Sequence, residues 1–234
     1  MKLTLLTYTH SKASDLHNAY FDRVKKFFNP ENHVVLCDKE INYNDIIMSI
    51  YDNESKYYEQ MINALNKVKT EYVIYSQEDY ILFDYVKLDK INNLISVLDN
   101  DKKLSFIRLI YSGIDFDIID YNEDLIYLKP EHQYYFSTQI TIWRTQDLKD
   151  MFNSSKVETI WDEPKNSIYL KELNKIGLCV KEKGGKVGGH FNSSIYPYIA
   201  TAIVKGKWND SEYSNMLNVI YDEYNINKEI RGVR

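Results

Sequence analysis

The chain has 234 residues, 44% hydrophobic and 27% charged, with a formal net charge of −5. That length and apolar content suffice for one folded domain with its own core. The negative balance argues against a nucleic-acid binder, which would carry a basic face and a high pI. The 21 tyrosines suit half-buried strand and core positions. Some can also serve as stacking platforms, because a phenol ring joins a flat apolar face to a polar tip. Cys37 and Cys179 lack metal-ligand spacing and sit in apolar runs, which points to free buried thiols in a reducing compartment. The opening MKLTLLTYTHSK turns polar too soon for a secretory signal, and no window reaches the roughly 18 apolar residues of a membrane span. A cytoplasmic protein without a transmembrane segment is expected, with peripheral membrane contact left open.

Leu3–Thr9 reads as a first buried strand, and Leu16, Tyr20, Val24 and Phe27 then recur at helical spacing until Asn29-Pro30 stops them. His33–Cys37 is a second strand with Asp38 just after it, and Lys39–Asn44 reads as a loop. A helix over about residues 54–68 carries Tyr57, Met61, Leu65 and Val68 on one face. Tyr72–Ser76 is a third strand, ending in Gln77-Glu78-Asp79. After Asp84, a candidate N-cap, Leu88, Ile91, Ile95 and Leu98 form another helical stripe, and Leu104–Ile110 is a fourth strand with Arg108 inside it. This alternation predicts an α/β fold with a mainly parallel sheet and helices on both faces.

Beyond residue 110 the pattern loosens. Leu125–Lys129 and Gln133–Thr141 read as strands, and Asp147–Phe152 as a short helix. Residues 153–176 are polar and without a clear pattern. The stretch KEKGGKVGGH (Lys181–His190) holds half of the chain's glycines, and a helix comes near Ser211–Tyr224.

Paired acids at the C-terminal end of a buried strand are poorly placed for packing and well placed for a ligand. The Gln77-Glu78-Asp79 strand end resembles the acidic motif of nucleotide-sugar glycosyltransferases with the GT-A fold. There an Asp-x-Asp or related tripeptide ends a central strand, and Asp79 matches its last position. The stretch FSTQITIW (Phe136–Trp143) and the acid-bearing VETIWDEP (Val157–Pro164) are similar to small bacterial and viral members.

The resemblance implies one GT-A (Rossmann-like) domain over 1–234, with a nucleotide-binding half (1–110) and an irregular acceptor-binding half (111–234). It implies transfer of a sugar from a nucleotide-diphosphate-sugar donor to a saccharide or glycan acceptor, with inversion by an acidic base. Mn²⁺ or Mg²⁺ is the implied cofactor, with Asp79 as a metal ligand and His190 as a late one. Glu78 shares the metal or bonds the ribose. Thr7 and Tyr8 end the first strand at the nucleotide, where Tyr8 stacks on the base and Asp38 hydrogen-bonds it. Asp162 or Glu163, beside Trp161, supplies the base, and an aromatic neighbour can raise a carboxylate's pKa towards the useful range.

Each assignment has a plainer counterpart. Glu78 and Asp79 can cap the next turn and helix, Asp38 can simply open a loop, and Trp161 can pack inward over a solvated acid cluster. The glycine cluster lacks P-loop spacing; it can close over a diphosphate with Lys183 or Lys186, or form a tight hairpin. Arg108 is a candidate for diphosphate or for a buried carboxylate. A sugar-phosphate nucleotidyltransferase would show glycines after the first strand, and LTYTHSKASD has none. Gln77 in place of an acid keeps open a non-catalytic GT-A-like domain that binds a saccharide or a partner. No Gly-x-Ser-x-Gly is present, and neither the histidines nor the cysteines are spaced for zinc.

Overall fold

The computed structural model describes residues 2–111, 118–132 and 134–234, with the backbone alone of Glu163 and Pro164. The first half is β1 (Leu3–Tyr8), α1 (Ser14–Phe27), β2 (His33–Cys37), β3 (Ile47–Ile50), α2 (Tyr57–Leu65), β4 (Tyr72–Gln77), α3 (Leu88–Asn100) and β5 (Leu104–Arg108). The strands β1, β2, β4 and β5 are buried almost throughout, as strands covered on both faces must be. Leu16, Tyr20 and Val24 of α1 are buried as the stripe predicts, and Asn29 ends that helix in the left-handed region (φ +48°).

Two expectations need correction here. The strand β3 falls outside the expected elements; it lies at the sheet edge, where Ile47 and Ile50 stay exposed and no buried run marks it. Asp84 is not the N-cap of α3. Its carboxylate accepts from the Tyr85 amide at 2.7 Å, and the amides of Val86 and Lys87 donate to Phe27 and Ile195 carbonyls, so the chain stays extended until Leu88.

The second half comprises β6 (Leu125–Tyr127), β7 (Thr141–Arg144), α4 (Thr145–Ser155), α5 (Glu163–Glu172) and β8 (Ile176–Val180). Two small hairpins come next, β9 (Lys186–Val187) with β10 (His190–Phe191) and β11 (Ile203–Val204) with β12 (Lys207–Trp208), then α6 (Asp210–Tyr224) and the short α7 (Lys228–Arg231). The expected strand over Gln133–Thr141 is displaced. Residue 133 lies outside the described residues, and extended pairing starts only at Thr141. Before it, Nη2 of buried Arg108 donates to the carbonyls of Tyr134 and Tyr135, both at 2.9 Å, which holds that stretch as a turn over the core. Arg108 thus spends Nη2 on backbone carbonyls.

The main sheet has the order β3-β2-β1-β4-β7-β5-β8-β6. From β3 to β4 all pairs are parallel; β7 then lies antiparallel between β4 and β5, and β6 antiparallel beside β8. Helices α1 and α3 cover one face through Tyr20, Phe21, Ile91 and Leu98 against Leu5, Ile74 and Ile107. Helices α2 and α4 cover the other through Met61, Leu65, Met151 and Phe152 against Leu6, Val73 and Trp143, with Trp143 stacked on Phe106 at 4.2 Å. A third cluster joins α6 and Trp208 to Leu16 and Ala19 on the outer side of α1. Both cysteines are buried, and no disulfide joins them. Among the described residues, no helix is long and apolar enough to cross a membrane.

Candidate functional site

The parallel strands β1, β2 and β4 end at one edge, the usual ligand edge of an open α/β sheet. β4 runs out into a turn closed by the Tyr80 amide on the Gln77 carbonyl (3.0 Å), which leaves Glu78 and Asp79 half-buried beyond the strand. Neither caps α3, which begins only at Leu88. Burial pushes Glu78 up to about 7, against the opposing pull of its own amide, the Thr9 hydroxyl and Arg231. Burial, and then the charge of Glu78, lifts Asp79 well above the usual carboxylate range, although the Ile203 amide and Arg231 oppose it. Two carboxylates held together in this way favour an incoming cation or hydrogen-bond donor.

Beside the acids is a cluster of tyrosines. Tyr8, the last residue of β1, lies parallel to Tyr51 (5° between planes, centroids 5.9 Å apart) and edge-on to Tyr57. The Tyr57 and Tyr75 hydroxyls meet at 3.0 Å, and the Gln77 amide donates to Tyr75 at 3.2 Å. Tyr51 carries no sequence signal of its own because it comes just after the unmarked β3, and its hydroxyl donates to the Thr9 carbonyl. An aromatic face with polar tips, next to paired acids, can hold a planar ring and a polar substituent together.

The other predicted nucleotide residues divide. Thr7 is wholly buried, and its hydroxyl meets Tyr20 at 2.7 Å and His33 Nε2 at 2.8 Å, so it faces the core rather than the edge. Asp38 does lie at the edge. Its two oxygens accept from the Ser11 amide (2.6 Å) and hydroxyl (2.8 Å), tying the β1–α1 loop to the end of β2. Burial alone would raise its pKa, but the Ser11 amide and hydroxyl, then the Cys37 thiol and His10, hold the carboxyl far below the usual range. Asp38 therefore braces the loop beside the tyrosine cluster.

The glycine cluster forms a tight hairpin. Gly188 takes φ +56° in its turn, and a Cβ there would come within 2.0 Å of the Glu212 carboxylate. Lys186 is exposed, with Nζ 5.8 Å from the centre of the Phe191 ring. His190 Nδ1 is buried with no partner among the described residues, and burial lowers its pKa. The loop carrying Asp162 packs against the start of α2, where the Tyr57 and Tyr58 amides donate to Glu158 and Val157 carbonyls. Asp162 Oδ2 accepts from the Glu158 and Thr159 amides (3.2 and 3.1 Å), and these bonds, the Thr159 amide first, pull its pKa down. The expected upward shift from Trp161 is absent because that ring is 87% exposed and removes no water from the carboxylate. The side chain of Glu163 lies outside the described residues.

Among the described residues, no three His, Cys, Asp or Glu side chains gather as a metal-holding group, so His190 does not join Glu78 and Asp79. The two adjacent carboxylates do fit Mg²⁺ or Mn²⁺ held in the manner of phosphate-substrate sites. There one or two carboxylates suffice, and water and substrate phosphates complete the shell.

No protein-family model matches the chain, and no curated protein matches its sequence. Among solved structures, S. aureus TarS 1–349 in complex with UDP-GlcNAc is similar at TM-score 0.54 and 15% identity, over 98% of this chain and 68% of that one. TarS 1–349 itself gives TM-score 0.53 at 14% identity over 98% and 66%, and the longer TarS chain is covered over 40% at the same score and identity. The present chain thus spans about two thirds of the TarS 1–349 fragment it matches. A cytidylyltransferase from Leptospira borgpetersenii is similar over 98% of both chains at 14% identity, but its TM-score of 0.45 carries no weight. At these identities the likeness shows the fold: the chain has the GT-A-type, Rossmann-like α/β architecture expected from its sequence.

Proposed function

We propose that residues 1–234 form one glycosyltransferase domain that takes a sugar from a nucleotide-diphosphate donor and passes it to a saccharide acceptor. The observation that carries this reading is the Glu78–Asp79 pair at the end of β4, half-buried and lifted in pKa beside the stacked Tyr8 and Tyr51. In this reading residues 1–110 hold the nucleotide, with the base against Tyr8 and the diphosphate at the two acids, and residues 111–234 present the acceptor. A uridine nucleotide is the first donor to try, because the TarS fragment forms a complex with UDP. A bound Mn²⁺ or Mg²⁺ would neutralise charge on the departing diphosphate. Inversion needs an acid that takes the acceptor's proton. Glu163 keeps that assignment, since Asp162 is occupied by the Glu158 and Thr159 amides.

A second reading is a domain of the same fold that binds nucleotide without transfer. Gln77 in place of an acid and the engaged carboxylate of Asp162 favour it. Thermal shift with UDP and UDP-GlcNAc, with and without Mn²⁺, on the wild type and Asp79→Asn separates the readings. A metal-enhanced shift that Asp79→Asn loses, together with UDP release once an acceptor glycan is added, supports the transferase. The same shift with no UDP release against an acceptor panel favours the binding domain. No shift with any nucleoside diphosphate sinks both.

A further inference from the structure

The segment Lys228–Arg234 returns to the acid pair. Val233 bridges to Trp208 as a parallel partner, the Trp208 amide donates to the Gly232 carbonyl, and the Arg234 amide donates to the Trp208 carbonyl. This places the Arg231 guanidinium over the Trp208 ring, 5.9 Å from its centre. Trp208 is the direct cross-strand partner of Ile203. The Ile203 amide is in turn a hydrogen-bond donor to Asp79. On the opposite side Arg231 clasps both Asp15 oxygens through Nε and Nη2, and Nη2 approaches the Lys12 carbonyl. Those residues belong to the loop and first turn just after Thr9, the partner of Glu78. One guanidinium therefore spans the two walls between which the acids lie.

Its donors are not all used. A guanidinium has five N–H groups. Among the described residues Nη1 has one acceptor, the Gly206 carbonyl at a long 3.3 Å, which leaves its second N–H over, and 15% of the side chain remains open to solvent. An arginine fixed by a carboxylate and an aromatic face, with a donor to spare beside a place for polyphosphate, is suited to a phosphate oxygen.

We infer that Arg231 is the diphosphate-binding cation of the donor site, held beside Glu78 and Asp79 by Asp15 and the Ile203–Trp208 hairpin. This rests on the donor-site reading above. Isothermal titration with UDP, and ligand-observed NMR with uridine, would be run on the wild type, Arg231→Ala, Arg231→Lys and Asp15→Asn. Loss of charge-assisted bonds to phosphate predicts UDP binding weakened about tenfold or more in Arg231→Ala. Uridine binding stays at the wild-type level and Arg231→Lys recovers part of the loss. Asp15→Asn breaks the same ion pair but keeps the guanidinium, so it loosens the placement of Arg231, weakens UDP less than Arg231→Ala does and leaves uridine binding unchanged. If Arg231→Ala binds UDP as the wild type does, or if Arg231→Ala and Asp15→Asn lose UDP and uridine alike, Arg231 is only an anchor and the inference falls. If the wild type itself binds no UDP at any Mn²⁺ concentration, the donor-site reading fails first, a different result from either.

Discussion

Two acid clusters stand out in the sequence, Glu78-Asp79 and Asp162-Glu163, and the structure treats the acids it describes in opposite ways. The first pair comes after a central strand and lies between two walls, where burial raises both carboxyls and the charge of Glu78 raises Asp79 further. Asp162 sits in a surface turn, where backbone amides lower its carboxyl and Lys165 lies 3.4 Å away. An acid's neighbours in sequence do not set its chemistry. The deciding factors are whether the strand before it is central or the turn around it is exposed, and which N–H groups point at it.

The contrast predicts opposite pH responses. Glu78 has a folded pKa near 7 against an ordinary 4.5, so the folded state holds its proton longer. Its contribution to stability is full below about pH 4.5 and is lost as pH rises to about 7. The loss is on the order of 2 kcal/mol after allowing for partial exposure. Urea melts across this window should show the decline in the wild type and a flatter line in Glu78→Gln; parallel lines would place Glu78 in water.

Asp162 runs the other way. Its lowered pKa stabilises the fold above the ordinary aspartate value and is lost as pH falls through and below 3.8. Asp162→Ala should cost about 1 kcal/mol at neutral pH, the usual net value of such hydrogen bonds, and leave UDP binding unchanged. A large loss of transfer to an acceptor glycan in that variant, with UDP binding intact, would return the residue to the site. The smallest effect is expected at Trp161, whose ring is 87% exposed. Trp161→Ala should shift stability by less than about 0.5 kcal/mol, measured by urea midpoint. If it instead abolishes transfer to an acceptor glycan with stability intact, the ring is an acceptor platform.

Much of the first half was legible because its strands are continuous apolar runs and its helices carry stripes such as Leu88, Ile91, Ile95 and Leu98. The insertion of β7 was not legible, since alternation along the chain says nothing about lateral order in a sheet. Helix α5 was hidden by its polar composition, with Leu170 its one wholly buried apolar side chain among those described. In the site, Tyr8, Glu78, Asp79 and Asp38 are legible because each lies at or just past the C-terminal end of a strand that the apolar runs mark. Arg231, Ile203 and Tyr51 are not, because they reach the edge from distant parts of the chain and no local pattern marks them.

The position of β7 also has a consequence for how the protein is made. Strand β4 pairs with β1 on one side and with Thr141–Arg144 on the other, and the second partner is synthesised more than sixty residues after Gln77. At ordinary elongation rates the far edge of β4 waits roughly 3–13 s on the ribosome with its hydrogen-bonding groups unpaired. An open, apolar strand edge is the usual seed of misassembly. The strand that ends in the acid pair is therefore open to chaperones and to aggregation during translation, and slow codons between residues 77 and 144 would lower the yield of folded protein before any purified property changed.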